Sequence, residues 1–475
     1  MKYLKILILL GLSIPSVFAQ PTQKNRVIIL SDIEADPDDT QSFIRLFLYS
    51  NQIDIKGIVA TTSCWMTSSI HPESIHKIID AYGKVQPNLL KHESGYPHAK
   101  SLHEIVKNGL PVYGMKGVGK GMDSEGSDLI IKELEENDDR PLWISTWGGV
   151  NTLAQALYKI NETKSKKEAK KLISKLRVYT ISDQDDSGLW IRINFPDVFY
   201  IVSPGDDYSH ATWSAINTVI KGIDNTTISN PWIADNIQQG HGPLGALYPD
   251  VAWGVEGDTP AFLSLIPNGL NTVEHPEWGG WGGRYELYIP DFSKVKDGSS
   301  IVTIAPETRP IWTNAYDTFK PYIPKAYGRN IEKDSTVFSD YKVSLWRWRD
   351  DFQNDFAARM DWTTKAYSEA NHPPIPVLSH PDEITVKSEQ SFTLDAFEST
   401  DPDGDNLSFL WFYYPEAGSY KKELTIGGAE NVHMFYVKAP EVTKKETLHF
   451  ILKLTDKGQP ALTRYKRVIV TVEPN

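Results

Sequence analysis

The 475-residue chain has a single cysteine, Cys64, so no disulfide can close within it and none is placed to accept a lipid behind an export signal. It also lacks a second long hydrophobic run. The one candidate, Ile6-Leu7-Ile8-Leu9-Leu10-Gly11-Leu12, is short for a membrane span; it follows Lys2 and Lys5 and precedes Val17-Phe18-Ala19, the pattern of a cleavable signal over residues 1–19. The mature chain is therefore expected to be periplasmic or secreted, without an integral membrane segment. A basic stripe is missing too. Lys and Arg number 49 against 61 Asp and Glu, and the net charge of -12 argues against a nucleic-acid backbone as partner. Aromatic residues are plentiful by contrast, with 14 Trp and 22 Tyr. Such rings either fill cores or stack on sugar rings.

The densest chemical feature is Asp32-Ile33-Glu34-Ala35-Asp36-Pro37-Asp38-Asp39, five carboxylates behind the apolar run Val27-Ile28-Ile29-Leu30. Crowded acids at the end of a buried-type strand repel one another unless a cation neutralises them, and a hard metal with oxygen ligands fits that need. An acidic surface turn is the alternative. The helical pattern from Thr40 to Leu48 puts the acids in a strand-to-helix turn, the edge of a parallel sheet where ligands bind.

From Val27 to about Ile289 the pattern alternates short apolar runs (53–60, 142–145, 176–181, 198–202) with helical stretches (73–85, 127–136, 152–158, 166–174), which predicts an α/β fold with a mostly parallel sheet. Residues 290–341 read as an irregular extension. A helical pattern resumes at 345–367, with Trp346, Trp348, Phe352, Phe356 and Met360 spaced to share a face. Pro373-Pro374-Ile375-Pro376 marks a boundary. Beyond it, strands at 390–394, 407–412, 448–454 and 467–472 predict an all-β sandwich over 375–475, able to fold alone. The turn Asp401-Pro402-Asp403-Gly404-Asp405 within it reads either as an Asx-type turn or as a calcium loop.

The acidic turn resembles the nucleoside hydrolase signature Asp-x-Asp-Pro-Gly-x-Asp-Asp. Ser145-Thr146-Trp147-Gly148-Gly149-Val150-Asn151 is similar to that family's second strand-to-helix turn, and Glu256-Gly257-Asp258-Thr259-Pro260 to its late aspartate. With Trp278 to Glu286 and Trp346-Arg347-Trp348-Arg349, the whole chain looks closest to exported bacterial nucleoside-hydrolase-like proteins described as cellulose-binding, which end in an immunoglobulin-like sandwich. The resemblance implies a nucleoside-hydrolase-like domain over 26–371, with its extension at 290–371, and a Ca2+ shell of Asp32, Asp39, Asp258 and the Trp147 carbonyl. It implies a carboxylate base as well. Glu34 stands where the hydrolases carry theirs and Asp36 replaces a glycine, so the base is Asp36 or Glu34, with Asp36 favoured.

A histidine usual in that family is Gly257 here, so Glu256 or His275 becomes the alternative acid. Asp183, Trp190, Arg192 and Asn194 lie in a mixed polar segment after a strand, and Trp281 and Arg284 in a Gly-rich one; together they are candidates for binding a sugar. That Gly-rich stretch is no phosphate loop, since it lacks the Lys-Ser/Thr ending. Trp65 points to the same sheet edge, and Cys64 reads as an inert thiol. The expected function is a calcium-dependent glycoside hydrolase acting on carbohydrate; the alternatives are a non-catalytic carbohydrate-binding protein on the same scaffold and an exported nucleoside N-ribohydrolase.

Overall fold

The structure, a computed structural model, describes residues 23–203, 211–251, 254–290, 306–321, 336–424, 426–427 and 431–475. The export signal read at 1–19 lies outside them. The first domain is built on an eight-stranded sheet. Its strands are β1 (Asn25–Ser31), β2 (Ile53–Ala60), β3 (Val106–Asn108), β4 (Leu142–Thr146), β5 (Leu176–Thr180), β6 (Phe199–Val202), β7 (Tyr285–Tyr288) and β8 (Ile311–Asn314). Their spatial order is β3-β2-β1-β4-β5-β6-β8-β7, parallel except for β7 at the edge. Val27 and Ile29 of β1 face one apolar layer while Ile28 and Leu30 face another, so helices must cover both sides.

The helix Asp38–Leu48 opens with Asp38 and Asp39, whose charges suit the positive end of its dipole, and buries Phe43, Ile44 and Phe47. Helices Glu125–Glu135 and Lys166–Ile173 start at serine capping boxes. Two expectations change. The mixed polar segment after β5, where sugar contacts are expected, becomes helical over Ser187–Asn194. The extension is not an appendage, because its β8 sits inside the main sheet between β6 and β7.

A small hairpin pairs β9 (Asp317–Phe319) with β10 (Phe338–Asp340). The C-terminal part is a two-sheet sandwich. One sheet orders β11 (Glu383–Lys387), β17 (Thr463–Glu473), β16 (Glu446–Thr455) and β13 (Ser408–Tyr413); the other orders β12 (Ser391–Asp395), β15 (Met434–Lys438) and β14 (Ile426–Gly427). Its core holds Trp411, Phe435 and Phe450.

The sandwich does not hang free on its linker. Its β16 and β17 lie against the helix Arg349–Asp361, whose Asp351, Asp355 and Arg359 are buried with Phe352 and Phe356. Tyr465 of β17 donates to Asp351, and Lys453 of β16 pairs with the same carboxylate at 2.7 Å. Among the described residues, no helix is long and apolar enough to cross a membrane.

Candidate functional site

The carboxyl ends of β1, β2, β4 and β5 converge on one crevice, and the segments leaving them are stitched together by backbone bonds. Thr61 N donates to Ser31 O at 2.8 Å, Trp147 N to Leu30 O at 2.8 Å, and Gly149 N to Thr62 O at 2.9 Å. Into this frame β1 delivers the acidic turn. One carboxylate oxygen from each of Asp36, Asp38 and Asp39 lies within 4.8 Å of the others. Asp258 arrives from across the molecule, at the start of the helix Pro260–Leu263, and contacts Asp38. The Asp258 turn is held by Arg45, buried on the acidic turn's own helix, which grips both oxygens of Glu256.

Burial, and after it the neighbouring carboxylates, pushes Asp39 and Asp258 well above the usual carboxylate range. Asp38 is also raised, by burial and then by Asp36. Asp32 is pushed up to about 6 by burial, against a hydrogen bond from Ser63. Asp258 Oδ2 is buried with no hydrogen-bond partner. Like charges gathered in a dry site with an orphaned oxygen are costly unless a cation joins them. The donor set is all oxygen, which suits a hard divalent ion. Asp38, to which the sequence reading gave no role, belongs to this set; the Asp-Asp pair was its only signal.

Asp36 and Glu34 stand at the exposed rim. Asp36 Oδ1 accepts from Asp38 N at 3.0 Å. Glu34 has φ +79, a strained left-handed conformation for a side-chain-bearing residue, and its carboxylate accepts from Ser74 Oγ. Gly148 matters by close approach: a Cβ there would lie 2.6 Å from Asp32 Oδ1. The Trp147 carbonyl accepts from Gln184 Nε2 at 2.6 Å, while Gln184 Oε1 is buried without a partner. Sequence reasoning missed Gln184 as a neighbour, since a lone amide after a strand carries no distinctive signal.

Gly257 also has a steric reason. A Cβ at that position would meet Asp38 Oδ2 at 2.6 Å and the Trp213 ring at 3.3 Å, so Trp213 crowds the place where the resembled hydrolases carry histidine. Neither alternative acid is poised for proton transfer. Glu256 is fully buried against Arg45 and also takes Tyr248 OH at 2.7 Å. His275 stacks on Trp278 at 3.9 Å and binds Glu277.

The six side chains read as sugar contacts are mostly engaged elsewhere. Arg192 turns inward, donating to both oxygens of Asp183 and to Glu307, because a buried guanidinium needs carboxylate partners. Trp190 packs edge-on against Phe195, and Asn194 Nδ2 donates to the Trp190 carbonyl. Trp281 is wholly buried, with Nε1 donating to Tyr465 OH of the sandwich at 3.3 Å. Arg284 is buried on Asp317. Trp65, instead, is 62% exposed on the turn whose Ser63 bonds Asp32, and its own N donates to Ser63 Oγ. Burial, with Asp32 and Asp185 nearby, pushes the Cys64 thiol up to about 12, leaving it protonated and unreactive.

A family model described as "Cellulose-binding Sde182, nucleoside hydrolase-like domain" matches residues 26–285. A second, "Cellulose-binding protein Sde0182, C-terminal domain", matches 391–472. The solved structure of a nucleoside hydrolase-related hypothetical protein from Saccharophagus degradans, associated with carbohydrate metabolism, is 34% identical. It covers 95% of this chain and 100% of its own, with a TM-score of 0.78. The effector protein XOO4466 and the type III effector XopQ, solved with adenosine diphosphate ribose, are each 10% identical and cover 62% of this chain. They cover 88% and 89% of their own chains, at TM-scores of 0.33 and 0.32. No curated protein matches.

Proposed function

The chain belongs to the family of cellulose-binding, nucleoside hydrolase-like Sde182 proteins, and on that premise we propose that it is an exported, calcium-dependent glycoside hydrolase acting on a carbohydrate. The observation that supports the reading is the convergence of Asp32, Asp38, Asp39 and Asp258, with Asp258 Oδ2 buried and unpartnered, beside exposed Asp36. Carbohydrate binding alone does not require such crowding of acids.

Asp32, Asp38, Asp39 and Asp258 would hold the ion, with the Trp147 carbonyl beside them. Bound there, calcium supplies positive charge and oxygen coordination for sugar hydroxyls. Asp36, at the rim beside the cluster, takes the proton from the water that attacks the anomeric carbon. Glu34, fixed by Ser74, is the second candidate for that role. Trp65 offers its exposed face to the apolar side of a sugar ring.

A second reading, a carbohydrate-binding protein without turnover, draws support from Trp213. Its ring, against Gly257, fills the place of the resembled hydrolases' histidine, and the alternative acids are taken up elsewhere, Glu256 by Arg45 and Tyr248 and His275 by Glu277. The same contact counts against a purine nucleoside as substrate. A screen of oligosaccharides and aryl glycosides with calcium, repeated after chelation, separates the readings. Hydrolysis that chelation abolishes supports the enzyme; sugar binding without product in any arm supports the binder.

A further inference from the structure

Among the described residues, four carboxylate oxygens are buried with no hydrogen-bond partner: Asp258 Oδ2, Glu307 Oε2, Asp401 Oδ2 and Asp456 Oδ2. The first faces the acidic turn in the site already described, and Glu307 is neutralised by Arg192. The other two lie in the sandwich, on separate loops.

Asp456, in the turn between β16 and β17, is 2% exposed. Its Oδ1 is saturated, accepting from Leu462 N at 2.9 Å, Gly458 N at 3.0 Å and Asn371 Nδ2 at 3.0 Å, while its Oδ2 has nothing. Asp401 repeats the arrangement. Its Oδ1 accepts from Asp403 N at 2.9 Å and Asp405 N at 3.0 Å, and its Oδ2 is buried and bare. The linker draws the two loops together, since Asn371 Nδ2 bonds Asp456 Oδ1 and the next residue, His372, donates its N–H to Asp403, two positions from Asp401. Asp403 is already committed, since it pairs with His372 Nδ1 at 3.0 Å and accepts from His372 N at 2.7 Å.

A buried carboxylate oxygen with no donor is costly, and two of them on neighbouring like charges are costlier. A hard cation removes both penalties at once, with oxygen ligands of the kind it prefers. We propose that Asp401 Oδ2 and Asp456 Oδ2 are ligands of a second site for a hard divalent cation such as calcium, at the point where the linker enters the sandwich. The linker is part of the arrangement: Asn371 Nδ2 bonds Asp456 and, at 2.8 Å, the Pro460 carbonyl, and His372 is held by Asp403. An ion at this place fastens the two domains' junction. The inference does not depend on the proposed enzymatic function.

Isothermal titration of calcium into the full chain tests it by stoichiometry. Asp456→Asn and Asp401→Asn each keep the Oδ1 acceptor and lose the charge, and each is expected to bind one calcium per chain fewer than wild type. Asp39→Asn is expected to remove a different calcium, so that Asp39→Asn combined with Asp401→Asn binds none. Unchanged stoichiometry in Asp401→Asn and Asp456→Asn overturns the site, whatever happens at the acidic turn. Should Asp456→Asn fail to fold, as a melt in excess chelator would show, the half-buried Asp401→Asn alone decides in the same way.

Discussion

Arg464, on β17 of the sandwich, donates to Asp355 Oδ2 on the helix Arg349–Asp361 at 2.6 Å, an ion pair across the domain junction with both partners largely buried. Burial alone would raise the Asp355 carboxyl, yet Arg464 and Arg359 hold it below its ordinary value. Arg464→Ala leaves the buried Asp355 to Arg359 and Tyr49 alone, so it should destabilise the protein by about 2 kcal/mol, read from urea unfolding. A change within a few tenths would mean that the junction contributes little.

The same junction alters what truncation should do. The Pro-rich boundary taken alone predicts that a chain ending near Asn371 is indifferent to the loss of the sandwich. The structure adds the Trp281 contact to Tyr465, the Tyr414 OH bond to Asp317 at 2.8 Å, and Arg467 bonded to the carbonyls of Leu270 and Gly279. We therefore expect that truncation to melt at lower temperature than the full chain and to expose apolar surface to a dye such as ANS. An unchanged melt without dye binding would restore the picture of independent domains.

The junction also predicts an acid limit. Burial, then Arg467, Lys421 and His275, lowers the His449 imidazole to about 3. The unfolded chain takes up that proton below pH 6.5 and the folded one only near 3, so stability must fall as pH drops through that interval. His449→Gln should flatten that part of the profile of melting temperature against pH. A slope identical to wild type would assign the acid sensitivity to other groups.

For Arg192, its ties to Asp183 and Glu307 predict a structural phenotype. Arg192→Met should lower stability by about 3 kcal/mol and leave the sugar affinity of the folded fraction unchanged. A selective loss of affinity at wild-type stability would return Arg192 to the binding site.

At the rim, Asp36→Asn should cut turnover by about 10²–10⁴-fold while calcium affinity falls less, and Glu34→Gln should be milder. The reverse ranking transfers the base to Glu34. Wild-type rates in both would remove the acidic turn from the chemistry.

Much of this architecture was legible because it rests on local pattern. The strand at Ile53–Ala60 coincides with its apolar run, and five carboxylates after β1 can hardly escape notice. What stayed hidden depends on distant partners. Trp281 and Arg284 look like exposed binding residues in a Gly-rich stretch, and only the docking of β17 and the hairpin strand β9 turns them into buried contacts. Arg192 reads as a sugar contact until Glu307, more than a hundred positions away, arrives beside it. Trp213 carries no motif; its role follows from the missing Cβ of Gly257. Orphaned oxygens such as Asp258 Oδ2 exist only in three dimensions.

The central claim is that the acidic turn and Asp258 form a cation site. Its most direct test is calcium-dependent thermal stability of wild type against Asp258→Asn, both stripped with chelator first. At a hundredfold excess over its dissociation constant, calcium bound there should stabilise wild type by about 2.7 kcal/mol, and Asp258→Asn should lose that increment. Identical calcium responses in the two proteins would place the ion elsewhere and contradict the account.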